Sequence, residues 1–214
     1  MWKFIKRLIY IVILANILFI FWGKFFNPPI TLTQLGGLFE YGKLKRDYVS
    51  DEEIGSNVKK AVLASEDQKF FTHNGFDYAA IEKAIDHNQK GKKIRGGSTI
   101  SQQTAKNIFL WQGRSWFRKG LETVYTFIIE LVWGKDVILE RYLNSIEMGQ
   151  GVFGVEAASK YYFSKSSKDL SKSEAAWIAA VLPNPKKYDP KNPSAYLSKK
   201  HRWIMRQMNN VVLK

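Results

Sequence analysis

"SEDQKFFTHNGFD", residues Ser65 to Asp77, sets two adjacent carboxylates at the end of an apolar helix and follows them with two Phe, a His and a glycine turn. Val58, Val62 and Glu66 recur every four residues, so Glu66 continues the apolar face of that helix and its carboxylate points where a Val would go. A carboxylate held against aromatic and aliphatic neighbours resists ionisation, which suits general acid or base work. The competing reading is a plain helix end, with Glu66 and Asp67 paired to Lys69, and this segment alone leaves both open.

Working outward, the signals are helical on both sides. Ser50 and Glu53 have capping-box spacing and are expected to open the helix that carries Ile54, Val58, Ala61 and Val62. Asp77 caps a second helix over Ala79, Ile81, Ala84 and Ile85. "KGKKIRGG" is a basic, glycine-rich loop, after which Thr99 and Gln102 cap a helix through about Leu110. "RKGLETVYTFIIELVWG" and "KDVILERYLNSIEMG" read as helices closed by Gly134 and Gly149. Ser171 and Glu174 cap "EAAWIAAVL", too short to span a bilayer and apolar enough to be the central core helix, and a last basic helix covers roughly Leu197 to Leu213. The fold class is therefore mainly α.

The N-terminus is of another kind. "LIYIVILANILFIFWG", Leu8 to Gly23, is an uninterrupted apolar run whose one strongly polar member is Asn16. Phe4, Ile5, Phe25 and Phe26 extend it toward the ~30 Å of a hydrocarbon core. No small-residue cleavage site follows, so a retained signal anchor is expected. Lys3, Lys6 and Arg7 precede the run and Lys24 alone follows it, which predicts the N-terminus inside and the main domain on the outer side. The expected organisation is a cytoplasmic tip and anchor over residues 1–26, a linker over 27–49 with at most a short strand, and one domain over 50–214.

Lys and Arg number 33 against 19 acids, a formal +14; without residues 1–24 there remain 29 cations against 19 acids, or +10. The body itself thus suits an anionic partner, and beside a bilayer that partner is phosphate-bearing lipid and not nucleic acid. With no Cys and three His without paired spacing, neither a thiolate nucleophile nor a zinc site is indicated.

Two further segments carry chemistry. "RGGSTISQQTAKN", Arg95 to Asn107, offers backbone N–H groups at a helix start suited to an anion, with Gln102 and Lys106 one turn apart beside Gln103 and Asn107. A capped surface helix is the alternative. In "FLWQGRSWFRKGLE", Phe109 to Glu122, cations Arg114, Arg118 and Lys119 interleave with bulky aromatics, as at a bilayer interface. Arg118 and Glu122 could be a surface i,i+4 pair of ~0.3 kcal/mol, or Glu122 could be the second carboxylate of a site. A sugar leaving on pyrophosphate needs cations to neutralise its charge, whereas cleavage between sugars needs an acid on the leaving oxygen. One buried Glu as base among many cations fits transfer from a lipid-pyrophosphoryl sugar.

"EDQKFFTHNGFD", "GGSTISQQTAKN", "RKGLE" and "ILERYLN" stand in the order of the glycosyltransferase family 51 motifs, and the chain resembles that family from roughly Glu40 to Met208. The resemblance implies a lysozyme-like, mainly helical domain behind one transmembrane helix, polymerising lipid II into β-1,4 glycan strands with inversion and release of undecaprenyl pyrophosphate. It implies an inner-membrane, single-pass protein with its catalytic domain on the periplasmic side. It implies that Glu66 is the catalytic base, that Glu122 is the second motif glutamate, and that Asp67, Ser98, Thr99, Gln102, Gln103, Lys106, Asn107, Arg114, Arg118 and Lys119 bind substrate. His73 reads as structural, bonding a backbone or carboxylate group. A Mg or Mn ion at the pyrophosphate is compatible with the family, without a dedicated protein cage. Ser101 stands where the family often has Thr, and Gly120 lies inside the third-motif helix at ~1 kcal/mol relative to Ala. Implied partners are lipid II, the growing glycan chain, membrane lipids, and cell-division or cell-wall synthesis proteins. Two other classes stay in view: a lysozyme-like lytic glycosidase that shortens preformed glycan, and a non-enzymatic division-complex adaptor using Asn16 as a helix contact.

Overall fold

A computed structural model describes residues 1–91, 96–113 and 115–213 of the chain. The anchor run extends into α1 (Trp2–Phe25), 24 residues and about 36 Å at helical rise, enough to cross a bilayer. Its C-terminal half docks on the rest of the protein. Trp133 Nε1 donates to Ile20 O at 2.8 Å, Arg141 Nε to Gly23 O at 2.9 Å, and Tyr125 OH to Asn16 Oδ1 at 2.7 Å. Asn16 is thus a helix contact, and its partner is Tyr125 of its own domain.

The core is built around α9 (Lys172–Val181). Ala175, Ala176, Ala179 and Ala180 are all buried, and such small side chains let α3 (Ser56–Glu66) and α10 (Ala195–Gln207) close on it. A second group packs α5 (Ile100–Phe109) against α6 (Trp116–Val132) and α7 (Lys135–Ser145). The remaining helices are α2 (Leu32–Tyr41), α4 (Tyr78–Gln89) and α8 (Val155–Phe163). Three short strands, β1 (Lys45–Arg46), β2 (Glu147–Gly149) and β3 (Val152–Phe153), form a sheet in the order β1-β3-β2, parallel then antiparallel. Described residues are thus mainly helical, as the sequence indicates, and Asp77, Thr99 and Ser171 cap α4, α5 and α9 as expected.

Three local readings change. The Ser50–Glu53 capping box exists, but it closes a 3-10 turn over Asp51–Glu53. The helix begins only at Ser56, because Ile54 turns extended to enter the core. Gly55 sits at that junction, where a Cβ would lie 2.6 Å from Ser167 O. Within 27–49, expected to carry at most a short strand, α2 is a full helix with its own Thr31–Gln34 capping box, packed on α5. Its buried face is Thr33, Gln34 and Gly37, polar or small residues that leave no apolar period to read. The helix of "KDVILERYLNSIEMG" stops at Ser145, since Glu147–Gly149 pairs with β3 and Asn144 clamps Val49 by accepting from its N and donating to its O, at 3.0 and 2.9 Å. The last helix ends at Gln207 and continues as a 3-10 turn to Asn210.

Candidate active site

Glu66 ends α3 where the two helix groups meet. Val58 and Val62 on the same stripe are fully buried, but Glu66 itself is half-buried with polar company. Its Oε2 accepts from Gln103 Nε2 at 3.1 Å and its Oε1 from Ser65 Oγ at 2.9 Å, while Lys200 Nζ of α10 stands 3.9 Å away. Gln103 is oriented in turn by Tyr142, whose OH donates to Gln103 Oε1 at 3.1 Å. Burial, and then the charges of Glu66 and Asp67, push the Tyr142 hydroxyl far above the ordinary tyrosine range, so it remains a donor. Burial lowers the pKa of Lys200, with Glu66 pulling the other way. The sequence reading assigned no role to Lys200 or Tyr142. Lys200 lies in an unremarkable basic tail, and Tyr142 sits within "ILERYLN", where nothing distinguishes it from core.

Asp67 faces inward. Both its oxygens lie 3.0 Å from His73 Nε2, and Oδ2 also accepts from Ile100 N at 3.0 Å. The helix start of α5 does hold an anion, as anticipated, and the anion is Asp67 of the protein itself. Thr99 and Gln102 are equally occupied: they bond each other reciprocally, and Thr99 OH donates to Gly75 O at 2.6 Å. These three residues, expected to contact substrate, are buried, and Asp67 and Thr99 fasten the start of α5 to the 67–75 segment. The paired Phe residues have the same use. Phe70 is buried in the core, with Phe71 edge-on against it and Lys135 Nζ 4.5 Å above its ring.

A cation cluster is built from Lys106, one turn further along α5, and from Arg118 and Lys119 of α6. Arg118 Nη1 meets Glu122 Oε2 at 2.6 Å and Lys119 Nζ meets Oε1 at 2.5 Å, so both oxygens of this buried carboxylate are taken. Lys119 also lies 3.5 Å from Ser98 Oγ. Lys106 is half-buried beside them. Burial is the largest influence and lowers its pKa; Glu122 opposes this, and Arg118 and Lys119 reinforce it. Asn107 bonds inward to Gln103 O at 2.8 Å and accepts from Gln112 Nε2 at 3.1 Å; Gln112 also reaches Thr33 of α2. Arg114, with Arg95 and the loop centre 92–94, lies outside the described residues. Trp116 and Phe117 are strongly exposed.

Gln103, Lys106 and Asn107 form one wall of a groove of ≈ 670 Å³. α2 supplies the opposite wall through Thr33, Gly36 and Glu40, and Glu147 with the Leu182–Lys186 loop closes the end. Burial raises the pKa of Glu147. α2 and Glu147 were absent from the sequence reading of the site. Among the described residues no cluster of three His, Asp or Glu could hold a metal ion.

A profile described as Transglycosylase matches residues 34–209. Proteins named biosynthetic peptidoglycan transglycosylase are similar to the chain over most of its length. That of Haemophilus influenzae is 56% identical over 178 residues, covering 83% of this chain and 72% of the relative. That of Mannheimia succiniciproducens is 55% identical over 175 residues, with 82% and 71% covered. That of Pasteurella multocida is 48% identical over 219 residues, with 97% and 89% covered.

Proposed function

The chain belongs to the transglycosylase family and is a peptidoglycan glycosyltransferase, and from that premise we propose that Glu66 is its base and the Lys106–Arg118–Lys119 cluster its pyrophosphate site. The acceptor sugar's 4-hydroxyl oxygen attacks the anomeric carbon of the growing chain. Its proton passes to Glu66, the C1–O bond to pyrophosphate breaks, and the electron pair leaves with the pyrophosphate. Attack opposite the leaving group inverts an α-linked donor to a β-1,4 bond.

The observation that carries this reading is the arrangement on α5. Gln103 is bonded to Glu66, and Lys106, three residues on and about 4.5 Å further along the axis, sits in the field of Glu122, Arg118 and Lys119. A single helix face, whose Gln103 and Lys106 line the groove, thus links the proton acceptor to the leaving-group cations. Glu122, bonded to a cation on each oxygen, orients the cluster; Asp67, Thr99 and Gln102 act as positioning residues for α5. The residues present do not fit a protein-held Mg or Mn, because the one carboxylate among these cations has no free oxygen, so charge neutralisation falls to Lys and Arg. A lytic glycosidase is disfavoured on the same ground, since Glu122 is not free to serve as acid or nucleophile.

The apolar anchor helix supports a single-pass membrane protein, and the excess of Lys3, Lys6 and Arg7 before it over Lys24 after it favours the inner membrane with the domain on the outer side. Exposed Phe117, Val124, Phe127 and Leu131 line one side of α6, the helix on which α1 docks, and this side faces lipid from which the donor's chain enters. Cell-wall synthesis or division proteins would meet surfaces other than Asn16.

The test uses purified protein with labelled lipid II in detergent, with polymer read on a gel. Glu66→Gln is expected to bind lipid II and to polymerise about 10²–10⁴-fold more slowly. Equal polymerisation by both proteins rejects the base assignment.

A further inference from the structure

Beyond the end of the groove, where Pro185 and Lys186 belong to both, lies a second depression of ≈ 150 Å³ lined by Lys43, Lys187, Tyr161, Tyr162 and Tyr188. It is cationic and aromatic. Lys45 Nζ of β1 and Lys191 Nζ lie 4.8 and 4.7 Å from the ring centroid of Tyr161, which is partly exposed. The scaffold beneath is fixed: Tyr162 OH donates to Met148 O at 3.0 Å, Tyr161 packs edge-on against Tyr162, and Gln150 Nε2 holds Lys186 O at 2.8 Å. The acids at the rim are engaged. Asp189 accepts from Lys191 N and Asn192 Nδ2 within its own turn, and Glu40 pairs with Lys186. Among the described residues no carboxylate lies within 4.0 Å of the ammonium groups of Lys43, Lys45, Lys187 or Lys191.

Lys43, Lys45, Lys187 and Lys191 around one tyrosine platform outnumber the one acid that lines it, Asp189, and an anionic occupant relieves the excess positive charge. The platform is continuous with the reaction groove through Pro185 and Lys186, which favours the polymer made there as the occupant. We propose that this platform is a subsite for the glycan strand, gripping the carboxylates of the peptides that the strand carries. The inference rests on the glycosyltransferase reading. It extends that reading by giving the polymer a hold away from the bond-forming centre, which would keep a growing strand bound between additions.

The experiment compares the full-length protein in detergent with its Lys45→Glu/Lys191→Glu variant. Binding is measured to uncrosslinked glycan strands with their peptides, and to the same strands stripped of peptides by an amidase. The wild type is expected to bind peptide-bearing strands about tenfold more tightly than stripped ones, as several modest exposed ion pairs would give, and the variant to lose that preference. The initial rate on lipid II stays within about twofold in the variant and its products are shorter. Equal binding of both strands by the wild type, or an unchanged preference in the variant, overturns the proposal. Weakened binding of short-chain phosphatidylglycerol below its micelle concentration, with strand binding unaffected, also overturns it and assigns the surface to lipid. Strand binding needs no turnover, so a wild type that fails to polymerise would sink the enzymatic reading and leave this measurement standing.

Discussion

Replacing Asp67 with Ala tests whether the first carboxylate pair is divided between chemistry and positioning. The Asp67 side chain is 4% exposed and that of His73 9%, so the pair is well shielded from water. Asp67 also accepts from Ile100 N at 3.0 Å, at the first turn of α5. Removing Asp67 leaves the buried Ile100 N–H and the His73 ring nitrogen without their partner, at about 1–3 kcal/mol each. For a chain of this size each kcal/mol moves the Tm by about 2–4 °C, so Asp67→Ala should melt about 4–24 °C lower. Asn keeps an oxygen for Ile100 N, so Asp67→Asn should lose less. The assay is thermal unfolding in detergent, followed by polymerisation well below the lower Tm. There kcat should fall while lipid II binding changes little, since α5 carries Gln103 to Glu66. A Tm within about 2 °C of wild type would refute the reasoning, as would an Asn variant less stable than the Ala variant.

Two further outcomes are expected. Lys106 has its pKa lowered mainly by burial, so a reaction needing its ammonium should lose rate as pH rises, at a pH below the ordinary lysine value of 10.5. Lys106→Arg should retain activity and move that basic limb upward; a limb unmoved in the pH–rate profile would show that Lys106 does not titrate there. Gly37→Val would place a Cβ 2.7 Å from Phe153 Cζ, a ring that is fully buried. Overpacking of about 1–3 kcal/mol should lower the Tm by about 2–12 °C and weaken lipid II binding by displacing α2 from the groove, and an unchanged Tm would mean α2 is not held there.

What could be read in the sequence was whatever announces itself locally. Asp77, Thr99 and Ser171 cap helices because capping is a matter of three or four residues, and α9 was legible as core because its apolar run is unbroken. The α2 helix was hidden because Thr33, Gln34 and Gly37 bury a polar and small face, made acceptable by hydrogen bonds and by the fit of Gly37 to Phe153, not by hydrophobicity. Lys200 was hidden for a different reason. Its meeting with Glu66 depends on α10 packing against α3, and no local pattern carries a contact 134 positions apart. The same limit applied to Thr99, Gln102 and Asp67. Their residue types suited an anion site, but only the packed structure reveals that they satisfy one another.

The three carboxylates named from the sequence are separated by their partners, and this separation supports assigning the proton to Glu66. A general base must have an oxygen open to the hydroxyl it deprotonates. Asp67 faces His73 with both oxygens and receives the α5 backbone on one of them. Glu122 has Arg118 on one oxygen and Lys119 on the other, each at 2.6 Å or less, and to take a proton it would have to release a cation that the leaving pyrophosphate needs. Glu66 receives only neutral donors, Ser65 and Gln103, at hydrogen-bond distance; its nearest cation, Lys200, stands back at 3.9 Å. Each carboxylate oxygen can accept more than one hydrogen bond, and Glu66 is the one of the three with no cation or ring nitrogen at hydrogen-bond distance, so it is the most open to an acceptor hydroxyl. The amide of Gln103, held by Tyr142 at the groove wall, fixes the direction from which that hydroxyl must come, and Lys106 on the next turn of α5 fixes where the charge must go.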